Sequence, residues 1–383
     1  MPVLDGPGQG IPLVNATTGT SRLIGDTRYP VVTSAQWLPG GREIIAALRT
    51  TGSATAQVWR VDAETGAAAV ITRDLFNYTH VRVASDSGAL VAMAGLGEST
   101  LWTANADRLS EPQQITTGAA DGEGAAGVSW AADGSIMYTS RARNNIDLWT
   151  LDPKTGIRRQ LTSDPADDTQ PSVSPDGRLI AFVSSRQGGS RIWVMHLDGT
   201  DPRPVSSGPT SSFPFWRPDS SAILFLPAVH SVLQVNADGR GERSLQGQWS
   251  TWAGESAAVF TPRAISPQGL VSGFARTDRP GRLHLAFGPF DGSAPLKRLD
   301  LTVTRALDPL EWAPDGKAID LPNGSDAGNL WRYPIDGRPG YRLTTFTGTA
   351  VTRSFDWSAD GRLVLSRGEN KTDLVLFRRT GGR

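Results

Sequence analysis

Few residues in this chain are of a type and spacing that could do chemistry. His80, His196, His230 and His284 are the only imidazoles, and a cluster of such groups is how metal-dependent lyases hold their ion. They fall at unrelated places in the pattern set out below, so scattered, solvated or hydrogen-bonded His is the expectation and no metal is assigned. A Ser nucleophile would need a Gly-x-Ser-x-Gly elbow on an α/β domain. "GESTL", "GVSWA" and "GESAA" each lack the final Gly. The absence of Cys excludes disulfides, thiolate metal sites and a Cys nucleophile. Asp133, Asp176, Asp219, Asp315 and Asp360 recur like a carboxylate array, yet each lies in a turn sequence, where Asp caps nearby backbone N–H groups. No catalytic residue and no cofactor follow from these residues.

The elements that would position any site are strands. The 383 residues include 42 Gly and 26 Pro, with 38% hydrophobic residues, a turn-dense composition that still supports a core. Charge balances at 38 basic and 38 acidic residues, so the basic footprint of a nucleic-acid binder is missing. No apolar run approaches the ~18 residues that cross a bilayer, and "MPVLDGPGQGIPLV" lacks the regions of a signal peptide. No direct membrane insertion is expected.

Residues 170–208 show the local logic. "SPDG" suits a type I turn between "QPSVS" and "RLIAFVSS"; "RQGGS" makes a second turn before "RIWVMHL", and "DGT" a third before "RPVSS". The result is a four-stranded antiparallel meander whose last strand carries Pro204 and so belongs at a sheet edge. The unit recurs. Its anchors are Trp37, Val83, Trp130, Val173, Trp216, Ile265, Trp312 and Trp357, spaced 43 to 49 residues apart, the period of a β-propeller blade. Ten of the twelve Trp fall at anchor or third-strand positions and read as blade packing. The expected fold is all-β: a single propeller over residues 1–383, eight-bladed with seven as the alternative. Repeats lie near 31–73, 78–118, 125–164, 168–208, 211–247, 259–302, 306–347 and 351–379. The eighth copy stops after three strands, and "SRLIG" (21–25) resembles a fourth, so residues 11–25 are expected to close the last blade. The strand at 11–14 is then left over, which favours a chain that begins partway through a longer protein.

The 170–208 copy, with its Pro-x-large-Ser-Pro-Asp-Gly-Arg, Ser-Arg-x-Gly, Ile-Trp and Asp-Gly in order, resembles the TolB-type, WD-repeat-like β-propeller repeat. "WLPGGREII", "VWRVDAETGAAAVITRDLFNYTHVRVASDSGALVAM" and "SFDWSADGRLVLSRGENKTDLVL" are similar to the C-terminal sensor propellers of bacterial receptor-type Ser/Thr kinases and winged-helix regulators. No "HRD", "DFG" or Gly-rich nucleotide loop is present, so kinase activity does not carry over. The resemblance implies a sensor or scaffold module of a bacterial signalling or envelope protein, extracytoplasmic if part of a longer chain.

The linkers between copies should emerge around the mouth of a central channel. Tyr78, His80, Asp168, Gln170, Phe213, Arg305, Asp308 and Arg353 lie there, and Trp249 and Trp252 sit in the longest linker. Exposed, that Trp pair would suit a binding hot spot; turned inward, it fills a seam between blades. The set holds no convincing acid–base pair, so the expectation is a non-enzymatic, monomeric binding module for a protein, peptide or small ligand. The alternative is a metal-dependent lyase or hydrolase working in the channel.

Overall fold

A computed structural model describes residues 9–29, 31–50, 55–74, 76–84, 89–117, 121–141, 145–227, 232–245, 260–276, 283–303 and 309–377. All of its regular structure is antiparallel β. The turn chemistry behaves as the sequence requires. Ser174 O accepts the Gly177 N–H at 2.8 Å, and Asp176 Oδ1 accepts the Arg178 N–H at 3.2 Å. Gly177 has φ +71°, and a Cβ there would stand 2.8 Å from Ala132 of the preceding copy, so Gly serves both the turn and the close approach.

Second strands are buried on both faces, as in Ile136–Ser140 and Ala222–Leu226, whereas fourth strands such as Arg158–Gln160 and Arg243–Ser244 lie mostly exposed. A strand that is apolar on both faces needs a neighbouring sheet on each side, which is how consecutive copies come to stack. Pro204 sits in an outermost strand, opposite Trp193. It loses no ladder bond there.

The chain divides into two compact units, residues 98–140 with 146–369 and residues 1–97 with 141–145 and 370–383. The strands Leu90–Ala104 and Leu363–Phe377 are each divided between the units.

In the unit built on residues 98–369, five four-stranded sheets follow one another over residues 128–160, 168–204, 212–244, 260–303 and 311–342. A sixth combines Val351–Trp357, the 363–369 part of Leu363–Phe377, the 98–104 part of Leu90–Ala104, and Gln113–Gln114. First strands neighbour one another in sequence order, and Val351–Trp357 returns to contact Val128–Trp130. The sheets of this unit thus close on themselves. In the other unit, the Pro12–Val14/Ser21–Leu23 hairpin packs on a four-stranded sheet over residues 31–70. The opposite face of that sheet meets Asn77–Val83 and its partner strands.

This pairing corrects the expected closure. Ser21–Leu23 pairs with Pro12–Val14, and residues 98–114 complete the final sheet in its place. The physical reason is reach within the repeat: Leu101 packs with Trp130 and Val364 in one cluster, and Ala104 packs with Phe355, Leu363 and Leu365 in another. The second copy therefore supplies the missing third and fourth strands. Among the described residues six sheets follow one another in this unit.

Candidate binding channel

In three copies the residue just before the anchor links neighbouring sheets through its side chain. In one unit, Gln36 Oε1 accepts the Val83 N–H at 2.9 Å while Gln36 Nε2 donates to Val83 O at 3.3 Å. In the other, Ser129 Oγ accepts the Val173 N–H at 3.2 Å. Asp356 repeats the device across 226 residues of sequence, its Oδ2 accepting the Trp130 N–H at 2.7 Å. Its Oδ1 accepts the N–H of Trp357 at 2.8 Å, and the Ser129 hydroxyl also bonds to it.

The first strands of all six sheets surround a channel of about 680 Å³. Trp130, Phe215, Trp216 and Trp312 form much of its wall, with Pro171, Pro214 and Pro309 among them. Gln170 and Phe213 both reach into this lining from left-handed backbone at φ 54°. They occupy the same repeat position, three residues before the anchor, where the preceding copy has Gly127 at φ +137°. Such a conformation is uncommon for Gln and an outlier for Phe. It coincides with ladder shifts between Thr169 and Ser172 and between Ser212 and Phe215. Gln170 Oε1 holds the Phe213 N–H at 2.5 Å, joining the two bulges.

Two carboxyls face this channel. Burial pushes Asp356 up to about 6 against the N–H and Ser129 hydrogen bonds that lower it. Burial raises Glu311 well above the usual carboxylate range, and the neighbouring charges of Asp356 and Asp320 add to the effect. The Trp357 N–H that Glu311 would take by analogy with its counterparts already goes to Asp356. Glu311 has no hydrogen-bond partner among the described residues. Behind it, Asp320 is fully buried and receives two bonds from Arg332, at 2.9 and 2.8 Å. The Arg332 guanidinium lies 5.2 Å from the centre of the Trp357 ring.

Of the residues singled out from sequence, the structure brings Gln170, Phe213 and Arg353 together in the channel lining. Asp168 is absent from it: fully buried, it pairs with Arg186 at 2.6 Å, and Arg186 stands 4.6 Å from the Trp193 ring centre. Burial raises the Asp168 carboxyl despite that pair. Tyr78 is a core residue whose hydroxyl donates to Asp74 at 3.0 Å, and the expected mouth position is corrected accordingly. His80 is exposed, with Nδ1 3.2 Å from Thr79 Oγ1. Trp249, Trp252, Arg305, Asp308 and His230 lie outside the described residues. His196 is exposed at the end of a third strand and His284 lies within another. Among the described residues no group of three or more His, Asp or Glu could hold a metal ion, and no helix is long and apolar enough to cross a membrane.

Glu311 and Asp356 were missed in the sequence. Their signal is the column before the anchor, which reads Gln36, Arg82, Ser129, Ser172, Phe215, Ala264, Glu311 and Asp356. Two consecutive acids in an otherwise mixed column, each on an inner strand, mark the channel.

The TolB beta propeller domain family matches residues 113–293. An uncharacterised protein of Agrobacterium fabrum is 30% identical over 99 residues, 25% of this chain and 34% of that protein. The Tol-Pal system protein TolB of Bordetella pertussis is 49% identical over 43 residues, 11% of this chain and 10% of that protein. The chain thus spans about a third or less of the length of these relatives. Among solved structures, TolB from Acinetobacter baumannii aligns with a TM-score of 0.35 at 18% identity, covering 75% of this chain and 59% of that one.

Proposed function

Since this chain carries a TolB-type β-propeller, we propose that it is a non-enzymatic recognition module whose binding site is the channel of the unit built on residues 98–369. The observation that carries this reading is the cavity itself. At about 680 Å³ it lies in the range of sites that enclose a ligand, and its wall mixes Trp, Phe and Pro residues with Ser hydroxyls, Gln170, Glu311, Arg353 and Asp356. The ligand is a protein loop, a peptide or a small molecule. The role is that of a sensor or scaffold in a bacterial signalling or envelope protein, extracytoplasmic in keeping with the resemblance to TolB.

One observation favours a catalytic reading, namely two carboxyls with raised pKa values facing one cavity, an arrangement typical of acid–base sites. Against it, both oxygens of Asp356 already hold backbone N–H groups. One free carboxyl is left, which suits recognition better than proton relay between two groups.

Ser172 is partly exposed on the channel wall, so Ser172→Trp narrows the cavity. Peptides selected from a random displayed library on the wild-type protein should lose at least about tenfold in affinity for the variant. Selected peptides that bind both proteins equally would place recognition elsewhere on the molecule.

A further inference from the structure

We propose that the channel takes a peptide segment through a basic side chain, with the ammonium or guanidinium head against Glu311 and its aliphatic stem along the aromatic wall. This rests on the reading of the channel as the binding site and names the chemistry of what enters it.

Three observations converge. Glu311 lines the cavity without a hydrogen-bond partner among the described residues, because Asp356 has taken the neighbouring Trp357 N–H. A partly buried carboxyl in that condition is left to whatever enters the cavity, and a cation of the ligand stabilises its charge. Pro171, Pro214 and Pro309 in the wall have no N–H that could compete for the Glu311 carboxylate. Lys and Arg heads carry donors only, so they match the unpartnered acceptor that Glu311 presents. Finally, Trp130, Trp216 and Trp312 give the apolar surface along which a four-carbon or guanidinium-capped stem packs. Among the described residues Arg353 is the one cation of the lining, and it sits at the ladder shift between Thr352 and Ser354, three residues from Asp356.

The raised pKa of Glu311 adds a signature. Its carboxyl must ionise to receive the cation, so binding below that pKa releases a proton and affinity rises with pH. Asp356, raised to about 6, faces the same cavity; Asp320 lies behind Glu311 and stays paired with Arg332.

The test is calorimetric titration of the full chain with blocked Ala-Lys-Ala and blocked Ala-norleucine-Ala, which lacks only the charge, followed by n-butylamine and calcium chloride. At pH 8 the Lys peptide should bind at least about tenfold tighter than its neutral analogue, a difference typical of a charge-assisted contact. The preference should fall towards pH 5, with proton release seen on changing buffer, and should vanish in Glu311→Gln. Equal affinity of the two peptides, a preference that survives in Glu311→Gln, or one insensitive to pH would each overturn the proposal. The pH arm needs only the wild-type protein, so it stands even where the variant folds poorly. Butylamine binding as tightly as the Lys peptide would assign the site to free amines, and calcium displacing the peptide would assign it to a metal ion; either outcome removes the peptide. If both peptides bind equally and Ser172→Trp abolishes both, the channel reading stands and the basic side chain alone falls.

Discussion

Glu311 and Asp356 share one column of the repeat, yet only Asp356 reaches backbone N–H groups. The difference sets opposite expectations for their removal. Glu311 has a folded pKa above its unfolded value, so ionisation disfavours the folded state, and stability is lost as pH rises from the ordinary Glu value through the raised one. Glu311→Gln is therefore expected to raise the melting temperature by about 3–6 °C at pH 8 and by much less at pH 4.5. Differential scanning calorimetry of both proteins across that range checks it, and a gap that does not narrow with acid would contradict the assignment. Asp356→Ala does the reverse. It strands the Trp130 and Trp357 N–H groups, at a cost of about 2–4 kcal/mol in denaturant unfolding. At this scale the turn acids were legible: Asp176, Asp219 and Asp360 are lowered by hydrogen bonds to hydroxyls and N–H groups in their own turns. The channel acids were not, because their role depends on which neighbour captures a single N–H, and no local pattern encodes that competition.

Strands and turns could be read from the periodicity because each depends on a few adjacent residues. Pro204 at a sheet edge is one case, and the Ser174–Gly177 turn another. A less visible regularity joins third and fourth strands. The N–H groups of Val58, Leu148, Ile192 and Leu330 donate to hydroxyls of Thr72, Thr162, Ser206 and Thr344, each fourteen residues later. Thr344 also donates to Asn329, so Thr344→Val, which keeps the shape, should cost about 1–2 kcal/mol by urea titration. A larger loss is expected where two strands are tied by charge. Asp320→Ala leaves Arg332 enclosed beside Trp357 without its carboxylate, a change of about 3–5 kcal/mol measurable in the same way. The N-terminal strand at 21–23 was misassigned because its sequence matches a fourth strand equally well in either setting. Its partner is chosen by Ile11, Ile24 and Tyr29, which pack with Ile44, Ala46 and Leu48, a tertiary preference that strand sequence does not carry.

A repeat of four-stranded units was legible across the whole chain, whereas the pairing that joins distant copies was not. Eight anchors appear in sequence, yet six sheets close together because residues 98–114 complete the sheet begun at Val351. A polypeptide of residues 98–369 should therefore unfold cooperatively with a β-type circular dichroism spectrum, without residues 11–25. A disordered product would restore the N-terminal strand as the closing element.

The Asp356 to Trp130 bond has a temporal consequence. Its partners are 226 positions apart, so during synthesis the seam can form only after residue 356 has left the ribosome, and contacts of such long range are the slowest to appear. Until then Leu101 and Val128 lack the covering that Val364 gives them. The nascent protein is thus exposed to misassembly until that seam forms, and forced opening of the mature one should begin at the same latch.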